Sequence, residues 1–477
     1  MAFKDMREYC QALEKTGDLV RVQQEVDWEL EAAAVTRRSN ESLGPAVMFE
    51  NIKDYPGGYR LLGGVQATYR RVAISLGLPP ETPIPDIYSE YERREQKPVK
   101  PVIVPTGPCK ENIRKGDDVN LFQFPVPLIH DGDGGRYFGT WDVVITQDPE
   151  TGWTNWGMYR FMIHNQRILT GDPTFTSHLA MVFREKFVKA GKRMPIAVVC
   201  GADPLCHMVA TAGYGIGQDE ADYAGALRQE PLELTKCETS DLLVPAHAEI
   251  VIEGELLPDA IGFEGPFGEY PGYRTGKARD GVVMEVKAIT YRTSPILTMI
   301  SLGVPVDDSS VTAALTASLA VKRRLKRHNV PVTDVYAPAE GVTHLVVVGV
   351  KEGGMKVAQQ IKDIITARRA AINKIVVVDS DVDVFDMKQV IHALAVKCHP
   401  LNGIVANAVA AGKANELTPC YSYDERAHKK GGVVVFDCTW PPEWPKETLP
   451  IKSSFNEIYP QEIKDKVLKN WQAYGLK

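Results

Sequence analysis

The sequence predicts an α+β multidomain protein with four parts: an N-terminal α/β segment (1–104), a β-rich middle (105–308), a C-terminal α/β domain (309–450) and a tail helix (451–477). Three observations carry this expectation. Between about 105 and 305 the apolar residues come in short β-branched or alternating runs separated by Gly/Pro turns. After 310 the pattern changes to helices alternating with buried strands. Ahead of both, Pro79, Pro80, Pro83, Pro85, Pro98 and Pro101 mark a linker that wraps into the middle region.

Taken in order, Phe3, Met6, Cys10 and Leu13 lie on one face of a helix that ends near Gly17, and a strand follows over 19–26. Strands are expected at 141–145, 159–163, 196–200, 249–253 and 282–286, with one helix over about 173–191. So many short strands around one helix favour an antiparallel barrel or sandwich over a doubly wound sheet. The third part reads as helix 310–328, strand 344–350, helix 355–369, strand 374–378 and helix Met387–Val396. After Pro441-Pro-Glu-Trp-Pro445, a tail helix places Ile463, Val467, Leu468 and Trp471 on one side. That side needs an apolar surface to cover, such as a neighbouring subunit.

Composition narrows the function class. The 477 residues are 44% hydrophobic and 24% charged with a net charge of −6, ordinary for a soluble globular protein and unsuited to nucleic acid or an anionic membrane. No apolar run approaches the roughly 18 residues of a membrane span. Asp5 and Glu8 inside the first amphipathic helix fit neither a secretory signal nor a transit peptide. The 8 cysteines form no CxxC pair, so reduced thiols and a cytoplasmic location are expected. The basic run 322–328 is expected to cap and solvate the end of its helix.

Chemistry concentrates at Glu264-Gly-Pro-Phe-Gly-Glu269. A helix or a strand would turn these two carboxylates to different sides, whereas a Gly-Pro-x-Gly turn can aim both into one site. Carboxylates held together push their proton affinities apart, which suits general acid/base work. On a plain surface turn they would merely be solvated. Upstream, Thr154-Asn155-Trp156-Gly157-Met158-Tyr159-Arg160 runs from a loop into a strand, and an Arg facing two Glu residues would grip an anionic substrate. Ser177-His178 begins the helix after Pro173, and Asp219-Glu220 follows a Gly213-Tyr-Gly215-Ile-Gly217 loop that lacks the βαβ setting of a dinucleotide site. Asn155, His178 and Glu220 together offer a mixed hard donor set for Mn²⁺ or Mg²⁺. Two decoys fall away. Asp379-Ser-Asp381-Val-Asp383 lacks the Gly and Glu of a calcium loop, and Ser309-Ser310 lacks a nucleophile elbow.

In this order, Asn155…Arg160, His178, Glu220-Ala-Asp-Tyr-Ala-Gly-Ala226, Ala248-Glu-Ile-Val-Ile-Glu-Gly254 and Glu264-Gly-Pro-Phe-Gly-Glu269 resemble the UbiD family of decarboxylases over nearly the whole chain. The resemblance implies an N-terminal α/β part, a central split β-barrel that binds prenylated FMN, and a C-terminal α/β domain, in a homodimer or homohexamer. It implies reversible non-oxidative decarboxylation of an aromatic or heteroaromatic acid, with the cofactor furnished by a prenyl-FMN synthase. Asn155, His178 and Glu220 match the ligands of a divalent metal, Mn²⁺ in the family, with K⁺ close by. Residues 155–160 with Ser177, His178 and Glu220 would bind the cofactor, and Arg160, Glu264 and Glu269 match the catalytic Glu–Arg–Glu network. A basic residue near the flavin phosphate in some relatives corresponds to the Ala367-Arg368-Arg369 region.

Loss of CO2 from an sp² carbon leaves in-plane electrons that no side chain can accept, so a cofactor must. In the resemblance Arg160 holds the carboxylate, Glu269 delivers the replacing proton and Glu264 orients both. Thr174, Ser177, Tyr270, the Ser309-Ser310 pair and residues 401–407 are expected to shape the pocket, and their hydroxyls favour a hydroxybenzoate-like ring. The alternatives are an FMN-dependent oxidoreductase on the same barrel, a decarboxylase of an aromatic acyl-CoA, a metal-dependent hydrolase and a non-catalytic homologue.

Overall fold

The computed structural model describes residues 3–174, 177–274, 276–367 and 371–476. Helix Met6–Lys15 starts where the Asp5 side chain accepts from the Glu8 amide, and it buries Met6, Tyr9, Cys10 and Leu13. These residues pack on a four-stranded sheet in the order Leu19–Val22, Ala46–Phe49, Arg60–Gly63, Ile296–Met299. The first strand is shorter than expected, and Val26 returns only as an isolated bridge to Ile52. The fourth strand comes from far along the chain and pairs in parallel with Arg60–Gly63. Buried Glu249 locks this arrangement by accepting two bonds from Arg7 at 2.7 and 2.8 Å and one from the Ile296 amide at 3.1 Å.

Apart from a small sheet of Val102–Ile103, Glu233–Lys236 and Leu243–Pro245, the middle of the chain forms one antiparallel sheet. Its order is Tyr137–Phe138, Phe161–Asn165, Ile168–Gly171, Arg279–Tyr291, Ile250–Glu264, Met194–Cys200, Asp142–Gln147, Thr154–Gly157, with Asn112–Lys115 added beside Arg279–Tyr291. Among the described residues the two end strands are not paired to each other, so hydrogen bonding does not close the sheet into a barrel. The two-residue period of a strand explains the near-continuous apolar runs. Val143, Ile145, Val199 and Val251 enter one core, while Val144, Val198, Ile250 and Ile252 enter another on the opposite face. The helix expected over 173–191 begins only at His178, capped by Ser177, and passes from Val182 into a π-helical turn, Phe183–Val188.

The C-terminal sheet runs Val332–Tyr336, Leu345–Val350, Lys374–Asp379, Gly432–Cys438, Ile404–Ala408, with parallel central strands and antiparallel edges. Helix Asp308–Arg327 carries a capping box between Asp307 and Ser310 and joins this domain to the rest. Its basic end does more than meet solvent. Lys322 pairs with Glu92 and Asp334, and Arg323 with Glu95, tying it to helix Ile84–Glu95. The acidic 379–383 segment is likewise structural: Asp379 and Asp381 both pair with Lys397. The tail helix spans Gln461–Lys469 and leaves Ile463, Leu468 and Trp471 exposed. Among the described residues no helix is long and apolar enough to cross a membrane.

Candidate active site

Glu264 ends the long strand Ile250–Glu264, and Gly265 turns the chain at φ +80° into Pro266. The turn is held from outside. The Gly134 amide donates to Pro266 O at 2.7 Å, and a Cβ on Gly134 would lie 2.2 Å from Gly265 O, so only glycine allows that approach. Asp133 accepts from the Gly268 amide at 2.9 Å through one oxygen, and its other oxygen meets His130 Nδ1 at 2.9 Å. His130 reaches Leu302 O at 2.6 Å with its second nitrogen. A Cβ on Gly268 would fall 2.4 Å from His130 Nδ1. Loop, imidazole and Asp133 therefore form one packed unit.

This loop and Arg160 meet as the sequence predicts. Arg160 donates to Glu264 through Nε at 2.8 Å and Nη2 at 3.1 Å, and to Glu269 Oε2 through Nη1 at 3.0 Å. Its guanidinium lies 4.8 Å from the ring centre of Phe267, within cation–π range. Glu264 is 0% exposed and also accepts from the Tyr137 hydroxyl at 3.1 Å. Burial lowers the proton affinity of Arg160, but the charges of Glu269 and Glu264 outweigh it, so Arg160 stays a cation. Burial raises Glu269 above the usual carboxylate range; Arg160 and Arg279 oppose this and Glu264 adds to it. One carboxyl is thus disposed to keep a proton beside another held by three donors.

The second group assembles through the short strand Thr154–Gly157. Its Trp156 amide donates to Glu220 Oε2 at 2.8 Å and its Thr154 amide to Asp219 at 3.0 Å, which fastens the strand to the start of helix Glu220–Arg228. Asn155 Oδ1 lies 3.1 Å from His178 Nδ1. Burial pushes Glu220 up to about 8, and the buried Nδ2 of Asn155 has no hydrogen-bond partner. A buried carboxylate with no cationic partner, near an amide oxygen and an imidazole nitrogen, is a donor set that fits a divalent cation. Among the described residues no three His, Cys, Asp or Glu side chains cluster as a rival metal site.

Both groups border one cavity of about 550 Å³, a usual size for a small-molecule site. Asn155, Trp156, Gly157, Met158, Tyr159, Arg160, Thr174, Ser177, His178, Glu220, Glu269 and Tyr270 all line it, and Glu264 stands behind Arg160. A Cβ on Gly157 would fall 2.4 Å from the Tyr159 ring, so glycine lets that ring lie against the strand. Some expectations change. Ser309 lines the cavity but Ser310 caps its helix, and Leu401 is 84% exposed. The C-terminal domain instead contributes Leu417, and Asn415 donates to the Tyr270 hydroxyl at 2.6 Å. Arg368 and Arg369, expected near a phosphate, lie outside the described residues. Sequence reasoning missed Tyr137, Asp172 and Arg279. Arg279 is the strand partner of Glu264 and lies 3.9 Å from both Glu264 and Glu269. Only the register of the two strands that flank the loop reveals it.

Comparison with known proteins identifies the family of this fold. The chain matches the N-terminal domain of 3-octaprenyl-4-hydroxybenzoate carboxy-lyase over 10–90, its Rift-related domain over 100–305 and its C-terminal domain over 310–438. It is 32% identical to pyrrole-2-carboxylic acid decarboxylase of Pseudomonas aeruginosa, covering 99% of this chain and 98% of the relative. Ferulic acid decarboxylase 1 of Saccharomyces cerevisiae is 30% identical over the same shares. Among solved structures, vanillic acid decarboxylase of Sedimentibacter hydroxybenzoicus in closed form superposes with a TM-score of 0.88 at 30% identity, covering 99% of each chain. The UbiD-class enzyme HmfF of Pelotomaculum thermopropionicum in complex with FMN gives 0.82 at 28% identity, covering 94% of this chain and 97% of that one. With its fold and nearly its whole length in common with these enzymes, the chain belongs to the UbiD family.

Proposed function

We propose that this protein is a prenylated-FMN-dependent carboxy-lyase that decarboxylates an aromatic or heteroaromatic acid, with Glu269 as proton donor and Arg160 and Glu264 orienting the substrate carboxylate. The class of reaction, non-oxidative decarboxylation of an aromatic acid, follows from the family. The observation that carries the residue roles is the Glu264–Arg160–Glu269 network, set in the wall of the cavity that also holds Asn155, His178 and Glu220. Prenylated FMN, when bound, supplies the electron sink that side chains lack.

The residues divide the remaining work. A guanidinium has five N–H donors, and Arg160 commits three of them to Glu264 and Glu269, which leaves two to hold a substrate carboxylate. Glu269, whose proton affinity burial raises, gives its proton to the carbon that loses CO2. Phe267, Ile300, Leu302 and Leu417 supply apolar walls, while Thr174, Ser177, Tyr214 and Ser309 bring hydroxyls. This lining favours a hydroxybenzoate-like ring. Asn155, His178 and Glu220 would hold Mn²⁺ or Mg²⁺ beside the flavin phosphate, with K⁺ nearby. A prenyl-FMN synthase would supply the cofactor.

The functional partition is 1–104, 105–308, 309–450 and 451–477, with a central split barrel as the flavin domain, and the exposed tail supports a homodimer or homohexamer. The buried free thiols suit a cytoplasmic enzyme. The test is expression with a prenyl-FMN synthase, mass spectrometry of the bound cofactor, and CO2 release by Glu269→Gln. If that variant keeps the cofactor and most of its CO2 release, the donor role is wrong.

A further inference from the structure

Converting R–COO⁻ to R–H and CO2 consumes one proton per turnover, and that proton must come from solvent. Glu269 is poorly placed to collect it. Its side chain is 6% exposed, and Oε2 is held at 3.0 Å by Arg160, which cannot act as a proton relay. The cavity side is where the aromatic acid would sit. Its other oxygen, Oε1, lies 3.9 Å from Arg279 Nη2, and that same nitrogen is ion-paired with Asp172.

Asp172 differs from Glu269 in its access. Its side chain is 22% exposed, and it belongs to the walls of two cavities: the catalytic one and a second of about 540 Å³. The second cavity sets Arg184, Arg279, Glu416 and Lys429 beside apolar residues such as Phe183 and Val282, and these charged groups give water polar partners there.

We propose that Asp172 reloads Glu269 with a proton drawn from the second cavity, and that Arg279 is a positioning residue that holds the two carboxyl groups to one guanidinium nitrogen. This rests on the reading of Glu269 as proton donor. After Glu269 has protonated the carbon, the Asp172 carboxylic acid passes its proton through water to the Glu269 carboxylate. Asp172 then takes a proton from the second cavity, and no electrons are transferred. Charge supports the scheme. Arg160 and Arg279 face three carboxyl groups, Glu264, Glu269 and Asp172, so one added proton neutralises the cluster. Burial raises Asp172 as it raises Glu269; Arg279 and Arg160 oppose it, and Glu264 and Glu416 add to it.

The experiment compares Asp172→Asn, Asp172→Glu and Arg279→Lys with the wild type, all loaded with prenylated FMN and checked by flavin absorbance. Asp172→Asn is expected to lower kcat about tenfold or more with KM little changed, the range of lost general acid/base assistance. Added acetate or imidazole buffer should raise its kcat in proportion to the acid form, while the wild type does not respond. Asp172→Glu should recover most of the rate, and Arg279→Lys should fall between them. An Asp172→Asn kcat within about twofold of wild type overturns the proposal. So does a loss that no buffer acid relieves and that leaves the pH profile unchanged, because a merely structural residue would behave that way. If Asp172→Asn does not retain the flavin, buffer rescue of Asp172→Ser decides the same question. Glu269→Gln separates the two readings. Its inactivity beside a normal Asp172→Asn removes the relay alone, whereas its full activity removes the donor role on which the relay depends.

Discussion

Replacing Glu264 by Gln tests the network where its geometry is most demanding. Three donors converge on this carboxylate: Arg160 Nε and Tyr137 OH on Oε1, and Arg160 Nη2 on Oε2. An amide keeps one acceptor. With its oxygen in the Oε1 position, the NH2 group faces Arg160 Nη2 at about the present 3.1 Å, a donor against a donor. One charge-assisted bond to a buried group is lost, at about 1.5–3 kcal/mol. If that loss falls on the orientation of Arg160, kcat drops about 10- to 150-fold. The charge change has its own signature. Glu264 helps raise the proton affinity of Glu269, and its removal leaves Arg160 and Arg279 to act on Glu269 without that opposition. The affinity of Glu269 therefore falls. With Glu269 as the proposed proton donor, activity is full below its pKa and lost as pH rises through it, so the falling limb moves to lower pH. The assay is the initial rate of CO2 release from pH 5 to 9, with flavin absorbance as a control for loading. A kcat within about twofold of wild type and an unmoved limb would refute the reasoning.

Two further outcomes are expected. Gly268→Ala should shift the loop, because its methyl group would sit 2.4 Å from His130 Nδ1; a stability loss of about 1–3 kcal/mol, read from denaturant unfolding, should accompany a lower kcat. His178→Ala should reduce bound manganese, read by elemental analysis of the purified protein, and weaken retention of the flavin; undiminished metal content would exclude His178 as a ligand.

What the sequence reveals here depends on how local the signal is. Glu264-Gly-Pro-Phe-Gly-Glu269 is legible because a turn that aims two side chains the same way needs special residues close together. The helix Met6–Lys15 and the parallel strands Leu345–Val350 and Lys374–Asp379 are legible because periodicity is local too. Arg279 and Tyr137 are not, since each reaches Glu264 only after separate strands find their register. Ser310 shows the opposite error. A hydroxyl next to a cavity-lining Ser309 is used up as a helix cap, which the Asp307–Ser310 spacing signals. Leu417 also escaped notice, because it lies in an irregular segment whose position follows from the His344–Thr418 contact at 3.1 Å and the Asn415–Tyr270 bond.

The strand Ile296–Met299 bears on how the chain is made. During synthesis the edge formed by Arg60–Gly63 emerges long before its parallel partner, and residues 64–295 must be translated in between. Until then the N-terminal sheet shows an unpaired edge, the kind of surface that recruits other chains. The buried carboxylate of Glu249, which accepts from Arg7 and from the Ile296 amide, then joins the beginning of the polypeptide to the strand that completes it. A ribosome stalled before residue 296 would display an incomplete first layer, and release of the last strand would complete both that layer and the wall of the candidate site cavity, where Ile300 and Leu302 follow directly.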